Sequence, residues 1–178
     1  MDKEGSFKGP MIVLIISMLI AAFWNQLDSV RSFVSAVLDP TAGALLNWIL
    51  TQGMILLIFI LSVIMTLAQK YATDQEALRE MKKEQKILQE EMKKYKEHPE
   101  KMMELQKESF KFMMPMMKLG MRPIVYTGIP IILFFRWFMD FFVLLGDPKF
   151  FGFFNWFWFY LVGSIIFSSI LRKVWKVA

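Results

Sequence analysis

Long apolar stretches alternate with short polar ones along the chain, and one long charged segment interrupts them. Three stretches are 22 to 24 residues long and cover residues 45–68, 124–145 and 150–171. Helices that cross a membrane need roughly 20 apolar residues, so these three stretches predict membrane spans. A fourth stretch, residues 10–24, has only 15 residues and predicts either a short fourth span or a helix lying in the membrane interface.

The charged segment, residues 71–112, has the periodicity of two amphipathic helices. His98-Pro99 stands near its middle, and proline suits the first position of a helix but not its interior. The pattern predicts an antiparallel coiled-coil hairpin with a turn at that dipeptide. No proline separates positions 45 and 95, so we expect the first arm to continue the preceding span as one helix. The apolar positions that recur at three- and four-residue steps are Leu78, Met81, Leu88, Met92, Tyr95, Met102, Leu105 and Phe112.

After the hairpin the chain returns to the membrane through a segment rich in methionine, proline and glycine. We expect Pro115, Pro123, Pro130, Gly120 and Gly128 to interrupt a continuous helix there. Methionine is unbranched and polarisable, so its cluster either captures varied apolar sequences or fills space at a helix end. The cluster consists of Met113, Met114, Met116, Met117 and Met121.

Composition and charge agree with a membrane body that carries one polar insertion. Hydrophobic residues make up 56% of the 178 positions, more than the interior of a soluble protein of this size can bury. Of the 21 Lys and Arg residues, 13 lie within residues 70–122, together with 10 of the 16 acidic residues. Because Lys and Arg are retained on the cytoplasmic side, we expect the hairpin and the C-terminus to be cytoplasmic in a plasma-membrane protein.

The predicted fold is therefore an all-α membrane protein with three core transmembrane helices and a cytoplasmic hairpin between the first two. Residues 27–38 form an amphipathic stripe that suits an elbow in the interface. The expected segments are 1–40 (N-terminal hydrophobic segment and elbow), 41–70 (first core helix), 71–112 (hairpin), 113–123 (re-entry), 124–146 (second core helix), 150–172 (third core helix) and 173–178 (basic tail).

Arg136 and Asp140 are the only charged residues within the last two spans. They stand four positions apart, so they share one face of a helix and can pair. A charge within the membrane is costly and is by default a candidate functional group. The alternative is a structural pair near the outer interface, with Arg136 extending its guanidinium towards water.

Polar residues on the uncharged spans are candidates for a groove that narrows towards Arg136. Hydroxyl and amide groups at four-residue spacing also occur where helices simply pack closely, so both interpretations remain open. The predicted substrate groove consists of Gln52, Ser62, Thr66, Gln69, Arg136, Asp140, Ser164 and Ser168.

Basic residues on the hairpin and the tail are candidates for contact with ribosomal RNA or anionic lipid. The acidic residues beside them equally suit a solvated helix pair with many ion pairs. The candidate contact residues are Lys82, Lys83, Lys86, Lys93, Lys94, Arg172, Lys173 and Lys176.

No pattern in the sequence favours an enzyme. There is no cysteine, and His98 is the single histidine. No nucleotide-binding glycine loop, Ser/His/Asp set or metal-ligand cluster appears. We therefore expect no catalytic residues, no metal, no cofactor and no small-molecule substrate.

The order of several short motifs resembles the YidC/Oxa/Alb superfamily of insertases. The motifs are Leu38-Asp39-Pro40 before the first core span, Met116-Met117-Lys118 before the second, Pro130, Arg136-Trp137, and the aromatic opening and small-residue centre of the last span, residues 155–165. The chain is most similar to the short archaeal YidC-like proteins and to the third subunit of the ER membrane protein complex. The resemblance covers about residues 38–172.

The resemblance implies a membrane-protein insertase or chaperone that receives hydrophobic segments from ribosomes and releases them into lipid through a polar groove, without an energy source. Its implied partners are membrane lipid, the translating ribosome, nascent membrane proteins, and the protein-conducting channel or a partner subunit. The family often has a positive residue on the first core span, where this chain has Gln52. Either Arg136 on the next span replaces that charge or the charge is dispensable. The competing interpretations are a membrane scaffold that recruits a cytoplasmic partner and a small oligomeric channel.

Overall fold

The computed structural model describes residues 7–95 and 98–177, which form helices and contain no β-strand. Three of these helices are long and apolar enough to cross a membrane, so the predicted all-α fold with three core helices is confirmed. In chain order the α-helices are α1 (Lys8–Ala22), α2 (Asp28–Leu38), α3 (Ala44–Trp48), α4 (Leu50–Ala72), α5 (Gln75–Lys94), α6 (Pro99–Met121), α7 (Ile124–Leu144) and α8 (Trp156–Trp175). The core helices are α4, α7 and α8.

The first core helix does not continue into the hairpin, contrary to the prediction from the sequence. α4 ends at Ala72, and Thr73 has an extended backbone with φ −119° and ψ 139°. Asp74 then caps α5, because its carboxylate accepts a hydrogen bond of 3.0 Å from the backbone N–H of Ala77. The Thr73 hydroxyl also donates to the carbonyl of Leu119 at 3.4 Å, which fixes the break against the end of α6.

A second break, at Ile49, separates α3 from α4. Gly53 faces this bend closely, since a Cβ atom at Gly53 would lie 3.0 Å from the carbonyl oxygen of Leu45. A π-helical turn, Asp39–Gly43, precedes α3. The apolar stretch of residues 45–68 is therefore a short helix followed by a bend and the span itself.

α5 and α6 pack against each other around the buried side chains of Leu78, Leu88 and Leu105. α6 begins at Pro99, the position that the sequence predicts, while residues 96 and 97 lie outside the described part of the chain. The coiled-coil geometry and the cytoplasmic side of this helix pair stay predictions.

The expected interruption of the re-entry segment is wrong for four of its five residues. Pro115 and Gly120 lie within α6, and Pro130 and Gly128 lie within α7. Only Pro123 stands at a break between helices. A proline inside a helix removes one backbone hydrogen bond, and here the packing of the helices against their neighbours holds the chain helical in spite of that loss.

The largest buried cluster lies at the end of the bundle opposite the hairpin. There the start of α4, the end of α7 and the start of α8 meet the N-terminal elements. Aromatic rings stack in this cluster: the ring centroids of Phe142 and Trp156 are 5.7 Å apart, and those of Phe150 and Phe159 are 4.6 Å apart. This cluster holds the bundle together at that end.

α1 packs along α7 in a parallel direction. Gly9 lies beside Val125 and Val13 beside Gly128, so tightly that a Cβ atom at Gly128 would stand 2.7 Å from Val13. At a rise of 1.5 Å per residue, the 15 residues of α1 cover about 22 Å, less than the roughly 30 Å of a hydrocarbon core.

Candidate functional site

A partly open cavity of about 270 Å³ lies between α4, α7 and α8 at the end of the bundle that faces the hairpin. Gly120 near the end of α6 and Pro123, which immediately precedes α7, close one side. The cavity contains five of the predicted groove residues: Ser62, Thr66, Gln69, Ser164 and Ser168. Its other lining residues are Met65, Gly120, Pro123, Ile124, Thr127, Tyr160 and Arg172.

Six hydroxyl residues line this cavity, and the hydroxyl groups of three of them donate back to the helix or turn that precedes them. The Thr66 hydroxyl donates to the carbonyl of Ser62 at 2.6 Å, the Thr127 hydroxyl to Pro123 at 3.0 Å, and the Ser164 hydroxyl to Leu161 at 2.9 Å. Such bonds satisfy the helix internally and leave each hydroxyl oxygen free to accept. The cavity therefore presents hydrogen-bond acceptors that stand on the apolar membrane helices.

Ser62 differs from these three residues. Its side chain is buried, and its hydroxyl has no hydrogen-bond partner among the described residues. Buried polar groups almost always have a partner, so an unpaired hydroxyl in the wall of a cavity marks a place where a polar group of a bound molecule is favoured.

Arg172 supplies the positive charge of the cavity. It stands on α8 four residues after Ser168, eight after Ser164 and twelve after Tyr160, and all four side chains line the cavity. From the sequence we expected Arg172 to contact lipid or ribosome, and we did not include Tyr160. The four-residue period that identifies the two serines also identifies both of these residues.

Arg136 and Asp140 do not line this cavity, so the structure does not bring them together with the other predicted groove residues. Asp140 does not pair with Arg136 either. Its Oδ2 atom lies 3.0 Å from Nε of Arg31 and accepts a hydrogen bond of 2.8 Å from the indole of Trp24. The reason is that α2 packs against α7 and places the guanidinium of Arg31 within ion-pair distance of the Asp140 carboxylate.

Arg136 instead lies over the ring of Trp24, with 5.8 Å between the guanidinium carbon and the ring centroid. It also donates to the sulfur of Met139 at 3.8 Å. Gln52 is exposed near the start of α4, at the far end of the bundle from the cavity. Three predicted groove residues thus belong to the opposite end of the molecule.

A second hydrogen bond ties the N-terminal elements to α7. The indole of Trp137 donates to Oδ1 of Asp39 at 2.8 Å. Together with the contacts of Asp140, this bond fixes the elbow and the π-helical turn on the end of α7 away from the hairpin. These charged and polar side chains therefore serve to join the N-terminal elements to the bundle.

Comparison with known families now bears on this arrangement. The family model described as "Integral membrane protein EMC3/TMCO1-like" matches residues 35–147, which is more than half of the chain. The chain belongs to the EMC3/TMCO1-like family. This family is part of the YidC/Oxa1/Alb3 superfamily, so the resemblance seen in the sequence is confirmed. No curated protein and no solved structure matches the chain significantly.

The family match extends from the end of α2 through α7 and does not include α8. In this EMC3/TMCO1-like protein, α4 and α7 of the cavity therefore lie within the matched region and α8 lies outside it. Membership of the family supports a membrane-protein insertase-type role in general, whereas the roles of individual residues must be argued from the structure.

The predicted capture residues lie on α6 beside the cavity. Met113, Met114 and Met117 are exposed, whereas Met116 and Met121 are partly buried. Met65 of α4 lines the cavity itself and was not among the predicted residues. An exposed methionine surface thus leads along α6 towards the cavity.

The predicted basic contact residues are exposed on two parts of the chain. Lys82, Lys83, Lys86, Lys93 and Lys94 lie on α5, and Lys173 and Lys176 follow the cavity residue Arg172 at the end of α8. The guanidinium of Arg79 on α5 donates to the backbone carbonyl of Lys176. The end of α8 therefore reaches the hairpin. Within residues 7–95 and 98–177, no group of three or more metal-ligating side chains occurs.

Proposed function

We propose that this protein is an insertase that admits the polar end of a nascent membrane segment into the cavity between α4 and α8. The apolar part of the same segment then enters lipid beside these helices. The observation that carries the proposal is the polar, hydroxyl-lined cavity at the hairpin end of three membrane helices. In this proposal the hairpin is cytoplasmic, the protein is integral to the plasma membrane, and the exposed methionines receive the apolar segment.

The physical basis is the cost of moving polar groups through hydrocarbon. Each unsatisfied backbone group costs several kcal/mol in the membrane interior, and a hydrophilic tail contains many of them. Acceptor hydroxyls, the unpaired hydroxyl of Ser62 and the charge of Arg172 replace part of the water that such a tail loses. Burial of about 20 apolar residues in lipid is favourable by itself, so the step requires no nucleotide.

The proposed partners are the translating ribosome, nascent membrane proteins, membrane lipid, and a channel or partner subunit. Exposed lysines on α5 offer an anion-binding surface to ribosomal RNA or lipid headgroups. The channel alternative needs Asp140 to line a pore. Asp140 instead pairs with Arg31 and faces the N-terminal elements, which does not favour a channel. The scaffold alternative gives no role to the cavity.

Photocrosslinking in proteoliposomes tests the proposal. A photoreactive residue at Thr66 or Ser164 should capture a ribosome-bound nascent segment, because both positions line the cavity. A matched probe at Ile166, which is half exposed on another face of α8, should capture mainly lipid. Equal capture from Ser164 and Ile166, or none from Thr66 and Ser164, would remove the cavity from the path of the substrate.

A further inference from the structure

A second concave surface lies at the base of the hairpin, between the start of α5 and the last turns of α6. It forms a groove of about 530 Å³, larger than the cavity between the membrane helices. No role has so far been given to it, and we call it the hairpin groove. Its lining residues are Asp74, Glu76, Ala77, Glu80, Met81, Lys111, Phe112, Pro115 and Leu119.

The hairpin groove has an apolar floor and an acidic rim. Met81, Phe112 and Leu119 contribute to the floor, and the three carboxylates of Asp74, Glu76 and Glu80 line the rim on the α5 side. Lys111 is the one basic residue among the lining residues, so the rim is negative overall. An apolar floor with a negative rim is complementary to a peptide that is both apolar and basic.

A proline interrupts the hydrogen bonding of α6 beside this groove. Pro115 lies inside α6 and has no N–H, so it cannot donate to the carbonyl of Lys111 four residues earlier. Pro115 and Lys111 both line the groove. The carbonyl of Lys111 therefore lacks the helical hydrogen bond that a residue with an N–H at position 115 would donate.

The position of the groove relates it to the membrane cavity. Leu119 lines the groove and Gly120, the next residue, lines the cavity, so the two lie on either side of one turn of α6. The groove starts two residues after α4 ends and, from Asp74 to Met81, extends about 10 Å along α5. A substrate whose polar end is held in the cavity would therefore place the cytoplasmic flank of its apolar segment near the groove.

We propose that the hairpin groove binds the basic residues that flank the cytoplasmic end of the substrate's apolar segment. This inference rests on the proposed function and specifies the class of substrate. Membrane segments carry an excess of Lys and Arg on their cytoplasmic side. The aliphatic stems of those residues suit the apolar floor, and their charged heads reach the rim.

The groove and the cavity then select on opposite charges. The groove, with Glu76 and Glu80, favours a basic flank that remains in the cytoplasm. The cavity, with Arg172, disfavours a basic tail and favours an acidic or neutral tail that crosses. Both preferences orient the substrate in the same sense.

The test uses the full-length protein in proteoliposomes with a photoreactive residue at Met81. The probes are peptides with one common apolar core and a flank that is basic, neutral or acidic. Exposed ion pairs are individually weak, so capture of the basic flank should exceed that of the acidic flank by about threefold to tenfold. The difference should shrink at high salt, because surface charges are screened.

Paired glutamine substitutions identify the residues responsible. Glu76→Gln with Glu80→Gln should abolish the preference for the basic flank. Glu84→Gln with Glu90→Gln is the matched control, since it removes the same charge from exposed positions of α5 that do not line the groove. The control should retain the preference of the unmodified protein.

The outcomes separate this inference from the proposed function. Equal capture of basic and acidic flanks at Met81, or loss of the preference in the control pair, overturns the role of the groove. Capture of a second copy, or of the chain's own basic tail, in place of the peptide also overturns it. A probe at Ser164 reports on insertion separately: its failure to capture the apolar core contradicts the proposed function even if Met81 still distinguishes the flanks.

Discussion

A single carboxylate, that of Asp140, joins three elements of the protein. It contacts the guanidinium of Arg31 on α2 at 3.0 Å and the indole of Trp24, which follows α1, at 2.8 Å. The side chains of Arg31 and Asp140 are 45% and 28% exposed, so water screens this pair in part. The N-terminal elements therefore depend on a residue of α7 that the sequence suggested as a groove residue.

Replacement of Asp140 by leucine should lower the stability of the protein in detergent by about 1–2 kcal/mol, because one ion pair and one hydrogen bond are lost. Arg136→Met should cost less, since within residues 7–95 and 98–177 the guanidinium of Arg136 has a ring contact and a weak contact with sulfur and no ion pair. Thermal unfolding followed by tryptophan fluorescence measures both variants. A larger loss for Arg136→Met than for Asp140→Leu would contradict the observed pairing.

At the scale of residues, the sequence predicts what repeats within one helix and misses what separate helices bring together. The four-residue period of Ser164 and Ser168 on α8 could be read directly, and it extends to Tyr160 and Arg172. The partner of Asp140 could not be read, because Arg31 is more than 100 positions away in the chain. Local spacing left Arg136 as the only visible candidate.

At the scale of elements, hydrophobic pattern locates the three core helices and the start of α6 at Pro99. The same pattern misses the break at Thr73, because one extended residue and an aspartate cap stop a helix without proline or glycine. It also misjudges Pro115 and Pro130, which lie within helices. Contacts between helices outweigh the lost hydrogen bond at these prolines, and a single sequence does not reveal such contacts.

The parallel packing of α1 on α7 leads to a prediction of topology. Since α1 starts where α7 starts, residues before α1 should lie on the hairpin side of the membrane and α2 on the other side. A single cysteine that replaces Ser6 should then be protected from a membrane-impermeant maleimide that labels Ser32→Cys from the other side. Gln89→Cys on α5 should be protected in the same way as Ser6→Cys. The native chain has no cysteine, so each label is unambiguous.

Labelling of Ser6→Cys and Ser32→Cys from the same side would show that α1 lies in the interface. The 15-residue length of α1 permits that arrangement in an intact bilayer. The experiment therefore decides between the short fourth span and the interfacial helix that the sequence leaves open.

At the scale of the whole molecule, the two ends of the bundle differ in packing and in the role that we propose for them. Aromatic stacking and the Asp140 contacts hold the end away from the hairpin together. At the hairpin end, the helices leave a polar cavity, and a groove with an acidic rim lies next to it. The region that the family model matches includes α4 and α7 of this cavity. The structure adds the third helix of the cavity, α8, which carries Arg172.

Insertion by the purified protein in proteoliposomes tests most directly whether the polar tail of a substrate passes through the cavity. The substrates carry a translocated tail that is acidic, neutral or basic. Arg172→Gln should lower insertion of acidic tails and raise that of basic tails, each by about twofold to fivefold, while Lys173→Gln, outside the cavity, should change neither. If the efficiency of insertion is the same for all three tails, both in the unmodified protein and in Arg172→Gln, that result would contradict passage through the cavity.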